Sequence, residues 1–274
     1  MPTVSQNLEL WNRYDWPHEG DEWSDQFGGT EALWAFLLYP RIRRFLPAPS
    51  ILEIAPGYGR WTQYLQGLCR SMIAIDISEK CIEHCKTRFA ANTHIRFYGN
   101  DGFSLAAVPD DSIDFAFSFD SLVHAESDVM KSYLAQLATK LKPDGIGFFH
   151  HSNIGVYKGR LAVFDWYRRL PLPFREHVLK VNRLEALLSI NLRGARATSM
   201  TASLFRQYCE RAGLKCVSQE IINWVTGRSL TDAISVFTKP ASRWDKPFTV
   251  FENFRFVEGA LVTKRLARLY GESK

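Results

Sequence analysis

The stretch from Ile51 to Thr62, ILEIAPGYGRWT, constrains the fold of this 274-residue chain more than any other. Ile51 to Ile54 reads as a short buried strand carrying one acidic residue, Glu53. Pro56, Gly57 and Gly59 then break the strand and permit a tight turn, because proline lacks an amide donor and glycine reaches backbone angles closed to other residues. From Trp61 onward Trp61, Tyr64, Leu65 and Leu68 recur every three or four positions, the period of a helix.

Strand, glycine turn and helix form the opening unit of a doubly wound α/β sheet. Its glycines let a ligand approach the backbone, and its helix N-terminus offers unsatisfied amides. A dinucleotide site prefers G-x-G-x-x-G, but here Gly59 is followed by Arg60, Trp61 and Thr62, so the third glycine is missing. The pattern Glu53-x-Ala55-x-Gly57-x-Gly59 instead resembles motif I of the class I S-adenosylmethionine (SAM) methyltransferases, with Ala55 where the first glycine often stands.

The rest of the chain repeats the alternation. A second strand is predicted at 71–77, with Asp76 near its end, where a carboxylate can accept two hydrogen bonds from ribose hydroxyls. A helix over 79–90 follows, then a third strand at 94–98 leading into Gly99-Asn100-Asp101-Gly102. The fourth strand, 113–119, emerges at Asp120-Ser121-Leu122-Val123-His124. A helix over 129–141 leads to the fifth strand, 146–149, which runs into His150-His151-Ser152-Asn153. Thr201 to Ala212 reads as a helix, with Thr201 as N-cap and Gly213 as its stop. Two last strands, 215–225 and 233–238, are joined by a polar loop containing Asp232. The expected fold class is therefore α/β: a Rossmann-like class I methyltransferase sheet, mostly parallel with an antiparallel closing hairpin, and helices on both faces. The resemblance implies cofactor contacts from Glu53, Ala55, Gly57, Gly59, Trp61, Asp76, Asp101, Gly102 and Phe119, with Asp101 facing the adenine amino group.

Around this core the chain divides into an aromatic arm and helix (1–49), the SAM-dependent domain (50–240) with an insertion at 154–200, and a helical tail (241–274) expected to pack on the core or on a second subunit of a homodimer. The arm reads as loop-like and combines Trp11, Trp16 and Trp23 with Asp15, Glu19, Asp21, Glu22 and Asp25. Aromatic faces and acceptor oxygens suit a sugar, so Trp16 and Trp23 are expected to bind substrate; the alternative is that they pack the arm onto the core. Residues 155–211 hold eleven Lys or Arg against four Asp or Glu, which suits a substrate-recognition lid, a solvated face or a subunit contact. Net charge of +5 permits an anionic partner without requiring one. No apolar run approaches a membrane span, and Met1 to Asn7 lacks the basic and apolar regions of a secretory leader. With five cysteines, an odd number, free thiols in a reducing cytoplasm are expected; Cys81 and Cys85 around His84 read as buried thiols rather than a metal site.

The runs FSFDSLVH, HHSN and WPHEGDEWS resemble the sugar O-methyltransferases of polysaccharide and glycoside biosynthesis, including that of mycobacterial methylmannose polysaccharide synthesis. The chemistry agrees. A sugar hydroxyl is a weak acid, so methyl transfer needs a base, a metal that acidifies the hydroxyl, or both. If a helix begins at Asp120, then Asp120 and His124 share its face, and His150 and His151 emerge at the neighbouring strand tip. In one scheme His124 is the base and Asp120, a strand-five histidine (His151) and Asp232 hold Mg²⁺. In the other, His150 or His151 is the base and His124 orients it. An RNA acceptor for the basic insertion, and SAM binding without catalysis, are the alternatives from other classes, although the chain carries no recognisable RNA-binding module.

Overall fold

Apolar residues on both faces of each central strand require helices on both sides of the sheet. In the computed structural model, which describes residues 3–159, 196–224 and 229–270, the chain opens with α1 (Val4–Arg13) and a 3-10 segment (Asp21–Phe27). Next come α2 (Thr30–Ala32), a π-helical turn (Leu33–Leu38) and α3 (Tyr39–Ile42). The alternating core follows: β1 (Ala48–Ile54), α4 (Thr62–Leu65), β2 (Cys69–Asp76), α5 (Glu79–Arg88), β3 (Ile95–Gly99), β4 (Ile113–Ser118), α6 (Ser127–Lys140) and β5 (Leu141–Ser152). It closes with α7 (Ala202–Arg211), β6 (Lys215–Ile222), β7 (Asp232–Thr238), β8 (Thr249–Asn253) and α8 (Phe256–Tyr270).

The eight strands lie in the order β3-β2-β1-β4-β5-β7-β6-β8. Among the described residues only β7 runs antiparallel, to β5 and β6, which is the expected closing hairpin. Successive strand residues serve opposite faces. Ile51, Phe115 and Phe148 join Leu38, Trp61 and Phe256 in one core cluster. Leu52, Ala116 and Phe149 join Leu134 and Phe205 in the other. The strand order reverses between β1 and β4, which opens a crevice at their carboxyl ends. No helix among the described residues is long and apolar enough to cross a membrane.

Three expectations change. The arm is not loop-like: a capping box at Thr3 and Gln6 starts α1. The tail is not wholly helical, because Thr249–Asn253 pairs with β6 as an eighth strand before α8 begins. No helix begins at Asp120. That residue sits in the left-handed region, φ 63°, and is followed by a 3-10 turn (Leu122–His124). Thr201 does cap α7, accepting from the Leu204 amide at 3.0 Å. Most of the expected insertion at 154–200, and the end of the predicted strand 215–225, fall outside the described residues.

Candidate cofactor and acceptor site

The glycine turn after β1 is built around Asp76. Its Oδ2 accepts from the Gly57 amide at 3.0 Å and its Oδ1 from the Ser78 amide at 2.9 Å. Burial pushes the Asp76 carboxyl up to about 6, against the pull of these amides. Glu53 lies beneath the turn; Thr62 donates to its Oε2 at 2.6 Å, and its buried Oε1 has no partner. Burial pushes Glu53 up to about 8, and the Thr62 hydrogen bond only partly offsets this. A cavity of about 730 Å³ opens over the crevice, lined at this end by Ala55, Gly57, Asp76, Ile77 and Gly102. Backbone amides, a two-oxygen acceptor and an apolar floor fit an adenosyl cofactor.

The remaining expected cofactor residues divide. Trp61 lines the cavity and donates from Nε1 to the Phe119 carbonyl at 3.1 Å, while Phe119 itself is core. Gly59 faces α5: a Cβ there would stand 2.4 Å from the Phe89 ring. Asp101 is exposed, and its Oδ1 accepts from the Phe103 and Ser104 amides at 2.8 and 2.7 Å. Those amides lower its pKa. Glu53, Gly59, Asp101 and Phe119 thus shape the site from behind the cavity wall.

At the tips of β4 and β5 the carboxylates meet arginines. Arg60 donates to Asp120 Oδ2 at 2.9 Å, and Arg196 grips Asp232 through Nε and Nη2 at 2.7 and 2.8 Å. Burial alone would raise the Asp232 carboxyl, but the Arg196 guanidinium and the His150 hydrogen bond hold it well below the usual range. His150 is fully buried; its Nδ1 accepts from the Asp120 amide at 3.1 Å, so the ring proton belongs on Nε2, which faces Asp232 Oδ2 at 3.2 Å.

Adjacent strand residues point to opposite faces, so His150 and His151 cannot converge. His151 stacks on Phe205 at 4.4 Å and its Nε2 meets Ser235 Oγ at 2.8 Å; burial pushes it down to about 4. The expected metal set of Asp120, His151 and Asp232 is therefore not brought together, and both carboxylates already hold cations. No group of three or more His, Cys, Asp or Glu side chains placed to hold an ion occurs among the described residues. Cys81 and Cys85 are buried free thiols, and His84 stacks on Tyr58 at 3.8 Å.

His124 lines the cavity together with Asp120, its ring edge against Trp11 at 5.3 Å. α1 is pinned there by Asn7, which donates to the His124 carbonyl at 2.9 Å. Trp16 stacks on Tyr58 at 4.6 Å and lies across the glycine turn, while Trp23 is 41% exposed; both line the cavity. Arg60, Arg196, Asn7 and Trp224 also line it and were assigned no role from sequence. Only Arg60 had a signal: a base in the β1 turn opposite an acid at the tip of the adjacent strand. Arg196 was one of many basic residues in its segment.

Residues 51–145 match the family described as methyltransferase domain. No curated protein gives a significant sequence match. Among solved structures, the PH0226 protein of Pyrococcus horikoshii superposes with a TM-score of 0.55 at 16% identity, over 84% of this chain and 98% of its own. A SAM-dependent methyltransferase of Clostridium acetobutylicum gives 0.53 at 14%, over 77% and 92%. The N-methyltransferase NodS of Bradyrhizobium japonicum, in complex with S-adenosyl-L-homocysteine, gives 0.53 at 15%, over 86% and 98%. At these identities the structures share the fold. Residues 51–145 thus resemble a methyltransferase domain, and the sheet around them has the fold of these structures.

Proposed function

We propose that this protein is an O-methyltransferase whose acceptor is a hydroxyl of a sugar or oligosaccharide. The observation that carries the reading is one continuous cavity that joins the Asp76 end to Asp120 and His124 beneath the rings of Trp11, Trp16 and Trp23. Bound SAM supplies a methyl group carried on a sulfonium. The acceptor oxygen takes that methyl as its O–H proton passes to the base. Of the three imidazoles at the strand tips, only His124 lines the cavity, so it is assigned as base. Tyr14 and Tyr133 also line it, but burial pushes each up to about 12, which keeps them protonated donors at neutral pH. Asp120, held by Arg60, accepts hydrogen bonds from acceptor hydroxyls, and the tryptophan faces cover the C–H face of a pyranose. No step is routed through a metal ion, because the candidate ligands do not converge.

The test is transfer of radiolabelled methyl from SAM to a panel of mono- and oligosaccharides, with RNA and simple amines beside them. Label on saccharides alone supports the reading. Label on RNA or amines alone overturns the acceptor assignment, and SAM binding without transfer to any acceptor favours a non-catalytic SAM-binding protein.

A further inference from the structure

The two ends of the cavity differ in chemistry. One end, beyond β2 and β3, is furnished by Asp76 and Gly102; the other reaches Trp224, two residues past β6. Five strand spacings separate β2 from β6, roughly 24 Å at about 4.8 Å each. The β6 end is walled by hydrophobic side chains from two separate elements: Trp224, then Val257 and Leu261 on α8. Trp224 is wedged in place, edge-on to Phe27 at 5.1 Å and stacked on Phe256 at 5.8 Å.

The charged groups nearby are already engaged. Arg196 gives Nε and Nη2 to Asp232, with its guanidinium 5.7 Å from the Trp224 ring, and Arg60 is bound to Asp120. Gln26 is exposed. Val257 and Leu261 carry no hydrogen-bonding side-chain atom, so a polar substituent pressed against them would lose water and gain no partner from those two side chains. An apolar substituent would gain by leaving water.

We infer that the β6 end of the cavity is a subsite for a hydrocarbon aglycone, aryl or alkyl, carried by the acceptor. The inference rests on the sugar reading for the group to which the aglycone is attached. α8 is then a specificity element, with Leu261, half-buried and lining the cavity, as its determinant.

The test compares KM for the 4-nitrophenyl, octyl and methyl glycosides of one accepted sugar, in the wild type and in Leu261→Asn and Leu261→Trp. In the wild type the two hydrocarbon glycosides should show KM values about tenfold or more below that of the methyl glycoside. Leu261→Asn should collapse that difference. Leu261→Trp, which fills the subsite, should raise KM for the two hydrocarbon glycosides and spare the methyl glycoside. SAM affinity should be unchanged in both variants, which verifies folding. Equal KM for the three glycosides in the wild type, or Leu261 variants that shift all three alike, would overturn the subsite. If none of the glycosides is methylated, the sugar reading fails separately. The subsite is then judged by titrating 2-naphthol into the protein loaded with S-adenosyl-L-homocysteine. Binding that Leu261→Trp abolishes supports it, and no binding to the wild type overturns it.

Discussion

Asp76 and Glu53 are both buried carboxyls under one turn, yet they do different work. Asp76 holds two backbone amides and lines the cavity. Asp76→Ala should weaken SAM binding by roughly 1.5–3 kcal/mol, the worth of a hydrogen bond to a charged group, as read by calorimetry. Full affinity in that variant would remove Asp76 from the cofactor site. Glu53 serves the turn from below. Its folded-state pKa, about 8, lies above the ordinary 4.5, so the folded chain keeps a proton that the unfolded chain has lost. The stability it contributes is full below about pH 4.5 and is lost as the pH rises through 8. Glu53→Gln should therefore gain Tm relative to wild type progressively across that window. A Tm difference that does not change with pH would contradict the buried, protonated carboxyl. His124→Ala should fold and bind SAM but lose about 10²- to 10⁴-fold in turnover, the usual range for a general base. Retained turnover would move the base elsewhere.

The elements explain which parts of the site could be read in advance. Motif I, the Asp76 strand and the closing hairpin were legible because each is a local pattern: an apolar run, a glycine turn, an N-cap. Convergence of His150 and His151 was not, since it assumed that neighbours in sequence are neighbours in space, and β5 continues through both residues to Ser152. Once β5 is known to extend that far, two-residue alternation sends His151 to Phe205 and leaves His150 with Asp120 and Asp232. The β8 strand was hidden for a different reason. Phe251, Phe254 and Val257 carry helical spacing, and only the pairing with β6 makes Thr249–Asn253 extended. α1 was legible but missed, because Thr3 and Gln6 stand at capping-box spacing.

The glycine turn and the arm make an element-scale prediction. At Gly57, φ is +58° and an added Cβ would stand 2.8 Å from Trp16 Cη2. Gly57→Ala should push the arm off the turn, lower stability by about 2 kcal/mol and shift tryptophan fluorescence. Trp16→Ala in the same chain should recover part of the loss, because the two changes share one contact. Strict additivity would contradict the packing of the arm on the turn.

At the scale of the molecule, the half of the crevice proposed to take the acceptor is assembled from parts far apart in sequence: α1, the β4 tip, Arg196, Trp224 and α8. Charge there is arranged as two closed pairs, Arg60–Asp120 and Arg196–Asp232. Because both carboxylates already face arginines, exhaustive chelation should leave turnover unchanged, and loss of activity restored by Mg²⁺ would contradict that arrangement. The most direct measurement of the whole account uses SAM carrying a ¹³C-methyl group, the best acceptor from the saccharide panel, and nuclear magnetic resonance of the product. The expected product carries one labelled methyl group bonded to a sugar oxygen, formed by wild type and nearly lost in His124→Ala. Label on nitrogen or carbon, or on a nucleic acid with none on sugar, would contradict it.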